Sequence, residues 1–77
     1  MELANIMARK KTLGTILRDA RVGKGLTLQT VGEAIGVSGS AVSHWESGTN
    51  GPRNENLKAL CRTLGLPIRA TLEIAGR

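Results

Sequence analysis

The chain has 77 residues, a formal net charge of +5 and a sequence pI of about 10.4, which bounds it to one domain near the lower size limit for folding without staples and favours a polyanionic partner. Its single cysteine, Cys61, excludes an internal disulfide and a cysteine-based metal cluster and points to a reducing compartment. One Trp with no Phe or Tyr argues against a stacking platform for single strands, and neither a membrane-spanning apolar run nor a secretory N-terminus is present, so a cytoplasmic protein is expected.

In chain order, residues 1–11 form an N-terminal basic arm. Leu3, Ile6 and Met7 suit one apolar helical turn, and Arg9, Lys10 and Lys11 follow as a basic run. A solvated terminus and an arm lying on phosphates or in a minor groove both fit. Thr12 then caps a first helix whose stripe is Leu13, Ile16, Leu17 and Ala20, ended by Gly23 and Gly25. Thr27 caps a second helix, about 28 to 35, with Val31, Ala34 and Ile35 on one face. Gly36 supplies the positive φ that ends it. Val37 is an apolar plug in the turn. Ser38 caps a third helix, about 39 to 46, with Ala41, Val42 and Trp45 turned inward.

Two short helices around a glycine turn form a helix-turn-helix, a unit that sets its second helix in the DNA major groove. After a loop rich in turn formers (47–52), a fourth helix starts near Asn54 with Leu57, Leu60, Cys61 and Leu64 as its stripe, stopped by Gly65. Cys61 on that stripe reads as a small core residue. In the tail, residues 67–77, two readings compete. Pro67 can open a fifth helix. Alternatively, Ile68, Ala70, Leu72 and Ile74 alternate with Arg69, Thr71 and Glu73, the period of a half-buried strand that would pair with its copy across a dimer. The strand is the favoured reading, and Ile68, Ala70, Leu72 and Ile74 are the expected dimer interface.

With these residues placed, the chain resembles the lambda-repressor-like, Cro/cI-type helix-turn-helix family from about Leu13 to Leu66. The resemblance rests on Arg21, Leu26-Thr27, Gly36-Val37-Ser38, Val42-Ser43, Trp45-Glu46, Gly48, Pro52, Leu57 through Leu60, and Leu64-Gly65-Leu66. It implies an all-α domain of four to five helices over residues 12–66, with its motif at 27–46. It implies an ion pair between Arg21 and Glu46. It also implies a DNA-facing set at the start and outer face of the third helix: Ser38, Gly39, Ser40, Ser43 and His44. Gly39 would let backbone approach DNA closely, the serines would read bases loosely, and His44 would donate to a guanine or a phosphate. Thr49 and Asn50 are expected on phosphates, and Arg53 on the backbone or in a narrowed minor groove.

This chain departs from the family pattern in two ways. Where the family often has a phosphate-binding glutamine after the threonine cap, this chain has Leu28, with Gln29 one step later, so Gln29 and the helix-start amides must serve. Between Gly25 and Pro52 there is no Lys or Arg, while Glu33 and Glu46 are acidic. The cations lie on the flanks: Arg9, Lys10, Lys11 and Arg18 before the motif, Arg53, Lys58 and Arg62 after it.

The leading functional expectation is a sequence-specific double-stranded DNA-binding regulator, a Cro-like repressor that binds a near-palindromic operator as a homodimer. At this length no ligand-binding or self-cleaving domain is expected. The alternative is an antitoxin-like module that binds a partner toxin and autoregulates its operon, a reading the strand-like tail favours. No enzyme, metal or cofactor is expected. His44 and Cys61 lie on different elements, and Gly23-Lys24-Gly25 is a helix stop rather than a phosphate loop.

Overall fold

In the computed structural model, which describes residues 12–77, each break between helices carries a glycine or a proline. The helices are α1 (Leu13–Gly23), α2 (Leu28–Ile35), α3 (Gly39–Ser47), α4 (Asn54–Leu64) and α5 (Ile68–Ile74), with no strand among the described residues. The expected arm, with Arg9, Lys10 and Lys11, lies outside the described residues. Three hydroxyls start three helices. Thr12 Oγ1 accepts from the Thr15 amide at 3.2 Å, Thr27 Oγ1 from Thr30 at 3.0 Å, and Ser38 Oγ from Ala41 at 3.0 Å. Gly36, Gly48 and Gly65 end α2, α3 and α4 at φ of 82°, 83° and 72°, the left-handed region that favours glycine.

The inward stripes meet in one core: Leu17 of α1, Val31 of α2, Val42 and Trp45 of α3, and Leu57, Leu60 and Leu64 of α4. Val31, Leu57 and Leu60 are wholly removed from solvent, and each such side chain contributes about 1.5–3 kcal/mol through the hydrophobic effect. Cys61 is buried with them as a free thiol. α2 packs on α3, α1 crosses α3, and α4 closes the underside against α1 and α2.

Two helical glycines make these crossings possible. A Cβ on Gly14 would lie 2.7 Å from the Trp45 carbonyl oxygen and closer still to that of Glu46. A Cβ on Gly32 would lie 2.5 Å from the Val37 carbonyl oxygen. Each glycine costs about 1 kcal/mol of helix propensity, which the close helix approach offsets.

The tail corrects the favoured strand reading. Residues 68–74 are helix α5, packed on α4. The four alternating apolar residues fit a period of two, whereas on a helix only Ile68 and Leu72 share a face, so the place of Thr71 separates the two readings. A strand would turn Thr71 outward, yet it is 2% exposed and its hydroxyl donates to the Pro67 carbonyl at 2.6 Å. Leu72 and Ala75 pack against the core on the same side. A lone strand would leave its backbone groups unpaired, whereas the helix pairs its own, with the Ala75 amide on the Thr71 carbonyl at 3.1 Å.

Replacing Gly14 with Ala should therefore destabilise the domain by about 2–3 kcal/mol in urea unfolding, because backbone carbonyls on α3 must move. The paired control, Gly23→Ala, meets nothing within 4 Å and should be neutral or stabilising by up to about 1 kcal/mol. Equal responses at the two glycines would contradict the crossing described.

Candidate nucleic-acid interface

The turn between α2 and α3 fixes where α3 points. Gly36 reverses the chain, half-buried Val37 anchors it to the core, and Ser38 begins α3. At about 100° per residue, Ala41, Val42 and Trp45 face inward and residues 40, 43, 44 and 47 face away. Ser40, His44 and Ser47 are exposed and Ser43 is half-buried. The side chains of Ser40, Ser43 and His44 make no hydrogen bond to any described residue, which leaves their donors and acceptors open. Ser47 was not anticipated, although it lies four positions after Ser43 on the same face. Its hydroxyl bonds the His44 carbonyl at 3.1 Å and the Thr49 hydroxyl at 2.9 Å.

The first turns of α2 and α3 come together here. A Cβ on Gly39 would sit 3.2 Å from Gln29 Cα. The missing side chain at Gly39 is thus accounted for by helix–helix approach inside the protein. Gln29 is exposed beside it and its amide donates to Glu33 Oε2 at 3.4 Å, a long contact that leaves the amide available. Ser38 is exposed, with its hydroxyl occupied by capping.

Thr49, Asn50 and Arg53 are exposed on the loop that follows α3. The Thr49 amide donates to the His44 carbonyl at 3.0 Å, tying that loop to α3. Arg53 occupies the N-cap of α4, where a guanidinium, a donor only, cannot cap, and its side chain makes no hydrogen bond or ion pair with any described residue. Lys24 lies against Gly65, where an ammonium suits the carbonyl end of α4.

Arg21 and Glu46 form a two-pronged ion pair. Nε donates to Glu46 Oε2 at 2.7 Å and Nη2 to Oε1 at 3.0 Å, while Nη1 donates to the Leu26 carbonyl at 2.9 Å. The two side chains are 14% and 8% exposed. The hydrogen bond to Glu46 pushes the Arg21 guanidinium above its usual pKa; burial opposes this and the carboxylate charge adds to it.

The four residues expected at a dimer contact divide. Ile68 and Leu72 are half-buried, whereas Ala70 is exposed and Ile74 is 50% exposed. Among the described residues, no cluster of three or more His, Cys, Asp or Glu side chains could hold a metal, and no helix is long and apolar enough to cross a membrane.

Glu46→Ala should cost about 3–5 kcal/mol, because Arg21 is left buried without its counter-charge. Joint replacement by Arg21→Met and Glu46→Leu should recover most of that loss in thermal or urea unfolding. Additive losses in the double variant would contradict a coupled pair.

The helix-turn-helix family model matches residues 17–70. The transcriptional regulator ClgR of Mycobacterium tuberculosis is 37% identical over 67 residues, covering 87% of this chain and 60% of the relative, so the chain spans about 60% of that protein's length. Among solved structures, the P22 c2 repressor in complex with a synthetic operator superposes with a TM-score of 0.76 at 29% identity, covering 80% of this chain and 94% of the repressor chain. The clp gene regulator ClgR of Corynebacterium glutamicum superposes with a TM-score of 0.72 at 36% identity, covering 83% of this chain and 68% of that one. A match that extends from the core of α1 into α5, through the turn and crossings described above, leads to one assignment: the chain belongs to the Cro/cI-type helix-turn-helix family of DNA-binding domains, a scaffold for binding rather than for catalysis.

Proposed function

We propose that this protein is a sequence-specific double-stranded DNA-binding transcriptional regulator that represses from a near-palindromic operator as a homodimer. The observation that carries the reading is the outer face of α3, where Ser40, Ser43 and His44 offer uncommitted polar groups on a helix held by a buried opposite face. The likeness to a repressor whose structure was solved on operator DNA supports it. α3 enters the major groove. Ser40 and Ser43 donate or accept at base edges, and His44 is the longest reader. Gln29, Ser38, Thr49 and Asn50 contact the sugar–phosphate backbone, and Gly39 lets α3 lie close to α2 on that face. Arg53 supplies charge from the start of α4, and Arg9, Lys10 and Lys11 supply it from the arm.

Two-fold pairing spaces the half-sites by roughly one helical turn, about 34 Å. Because α5 is a helix, the pairing surface is its outward side, with Ala70 and Ile74, rather than a strand edge. The helical tail also removes the one feature that favoured an antitoxin-like role with a toxin partner.

Selection from random duplexes should return a near-palindrome, and a result with no symmetry would reject the dimeric mode. His44→Ala should alter base preference at one or two positions while non-specific affinity stays within about threefold. Arg53→Ala should weaken binding to all sequences and lower the salt slope by about one. Ile74→Glu should yield a folded monomer by sedimentation, and a persistent dimer would remove α5 from the contact.

A further inference from the structure

The end of α5 returns to the loop that carries Asn50 and Arg53. The Arg77 amide donates to the Leu72 carbonyl at 2.9 Å, which turns the backbone toward the start of α4. There Arg77 Nη1 donates to Asn54 Oδ1 at 2.9 Å. Its Nη2 faces Gly51, where a Cβ would sit 3.4 Å away. Arg77 also lines a groove of about 420 Å³ together with Ser47, Gly48, Asn50 and Gly51.

Groups of both signs lie here, with Glu55 in the first turn of α4. The amino end of α4 carries partial positive charge, and Arg53 already stands at its N-cap. Among the described residues no carboxylate pairs with either arginine. The one hydrogen bond to Asn54 engages one of five guanidinium N–H donors and leaves others open on an exposed residue that shares its groove with Asn50. A guanidinium fixed at one prong to the first residue of α4, with its other donors open beside the loop that carries Asn50, is arranged to receive a phosphate oxygen.

We propose that Arg77 is a further backbone-binding residue of the DNA interface. It is held by Asn54 and engages the same stretch of phosphates as Arg53. The proposal rests on the DNA-binding reading given above, and it assigns part of that interface to a residue 24 positions away in sequence from Arg53.

The test measures binding of the full chain to a random-sequence duplex across a salt series, which needs no knowledge of the operator. Arg77→Ala should lower affinity roughly tenfold at 0.1 M salt and reduce the slope of log K against log salt by about one. Arg77→Lys should retain the slope. Asn54→Ala, which keeps the charge and removes its tether, should retain the slope with a smaller loss of affinity. Thermal unfolding without DNA checks that each variant is folded, and Arg77→Gln replaces Arg77→Ala if the latter is not. An unchanged slope in a folded, charge-removing variant overturns the proposal, even if affinity falls, because a structural brace would weaken binding without releasing fewer counterions. A wild-type chain that binds no duplex at any salt instead overturns the DNA-binding reading itself, and this proposal with it.

Discussion

Arg21 and Glu46 are the junction on which the motif's orientation depends. The guanidinium lies on α1, takes both carboxylate oxygens at the end of α3, and spends its remaining prong on the Leu26 carbonyl just before α2. One side chain therefore references both motif helices to α1. Two turns earlier on α1, Gly14 lets the same part of α3 come within backbone contact, against the carbonyls of Trp45 and Glu46. Removing two charges from water consumes most of what the pair's attraction returns, so its main product is angle rather than net stability. An apolar contact would hold the helices together equally well, but it would permit sliding that a bidentate pair does not.

On the outer face of α3, Ser40, Ser43 and His44 have side chains with no hydrogen bond to any described residue, while Ser47 ties the helix end to the loop. The residues there are small and neutral apart from His44, and no Lys or Arg lies between Gly25 and Pro52. Coulomb attraction to phosphate is long-ranged and indifferent to sequence, whereas hydrogen bonds at base edges are short-ranged and selective. In the proposed interface the two are separated, with charge at Arg53 and in the basic run at residues 9–11 and small polar groups on α3, which suits approach to any duplex and discrimination only at close contact. The two acidic residues of the motif differ: Glu46 is largely buried and Glu33 is exposed. Glu46 is consumed by Arg21, and Glu33 accepts from Gln29.

Much of this was readable in the residues. The hydroxyl caps, the glycine stops and the four apolar stripes are local signals, set by hydrogen bonding and φ preference within a few residues. The helix boundaries they predicted agree with those observed to within a residue. The exposed set on α3 followed from the same helical period once the inward stripe was known. Signals of a different kind were present but not interpretable alone. Gly14 and Gly32 sit inside amphipathic helices, where a glycine is a local loss, and the reason for each lies in a carbonyl on another element. Gly39 likewise looked like an allowance for DNA, and it abuts the Gln29 backbone.

The sequence by itself determined the helix-turn-helix, because caps, stops and core periodicity act over one or two turns and were mutually consistent, and the residues quoted for it carried the resemblance to the family. Only the tertiary structure decided the tail. Its apolar residues alternate with a period of two while Pro67 can open a helix, and burial of Thr71 selected the helix. It also decided where Arg77 lies. Nothing within reach along the chain predicts an arginine at the end of α5 meeting Asn54 at the start of α4, since that meeting depends on the angle at which the last two helices pack.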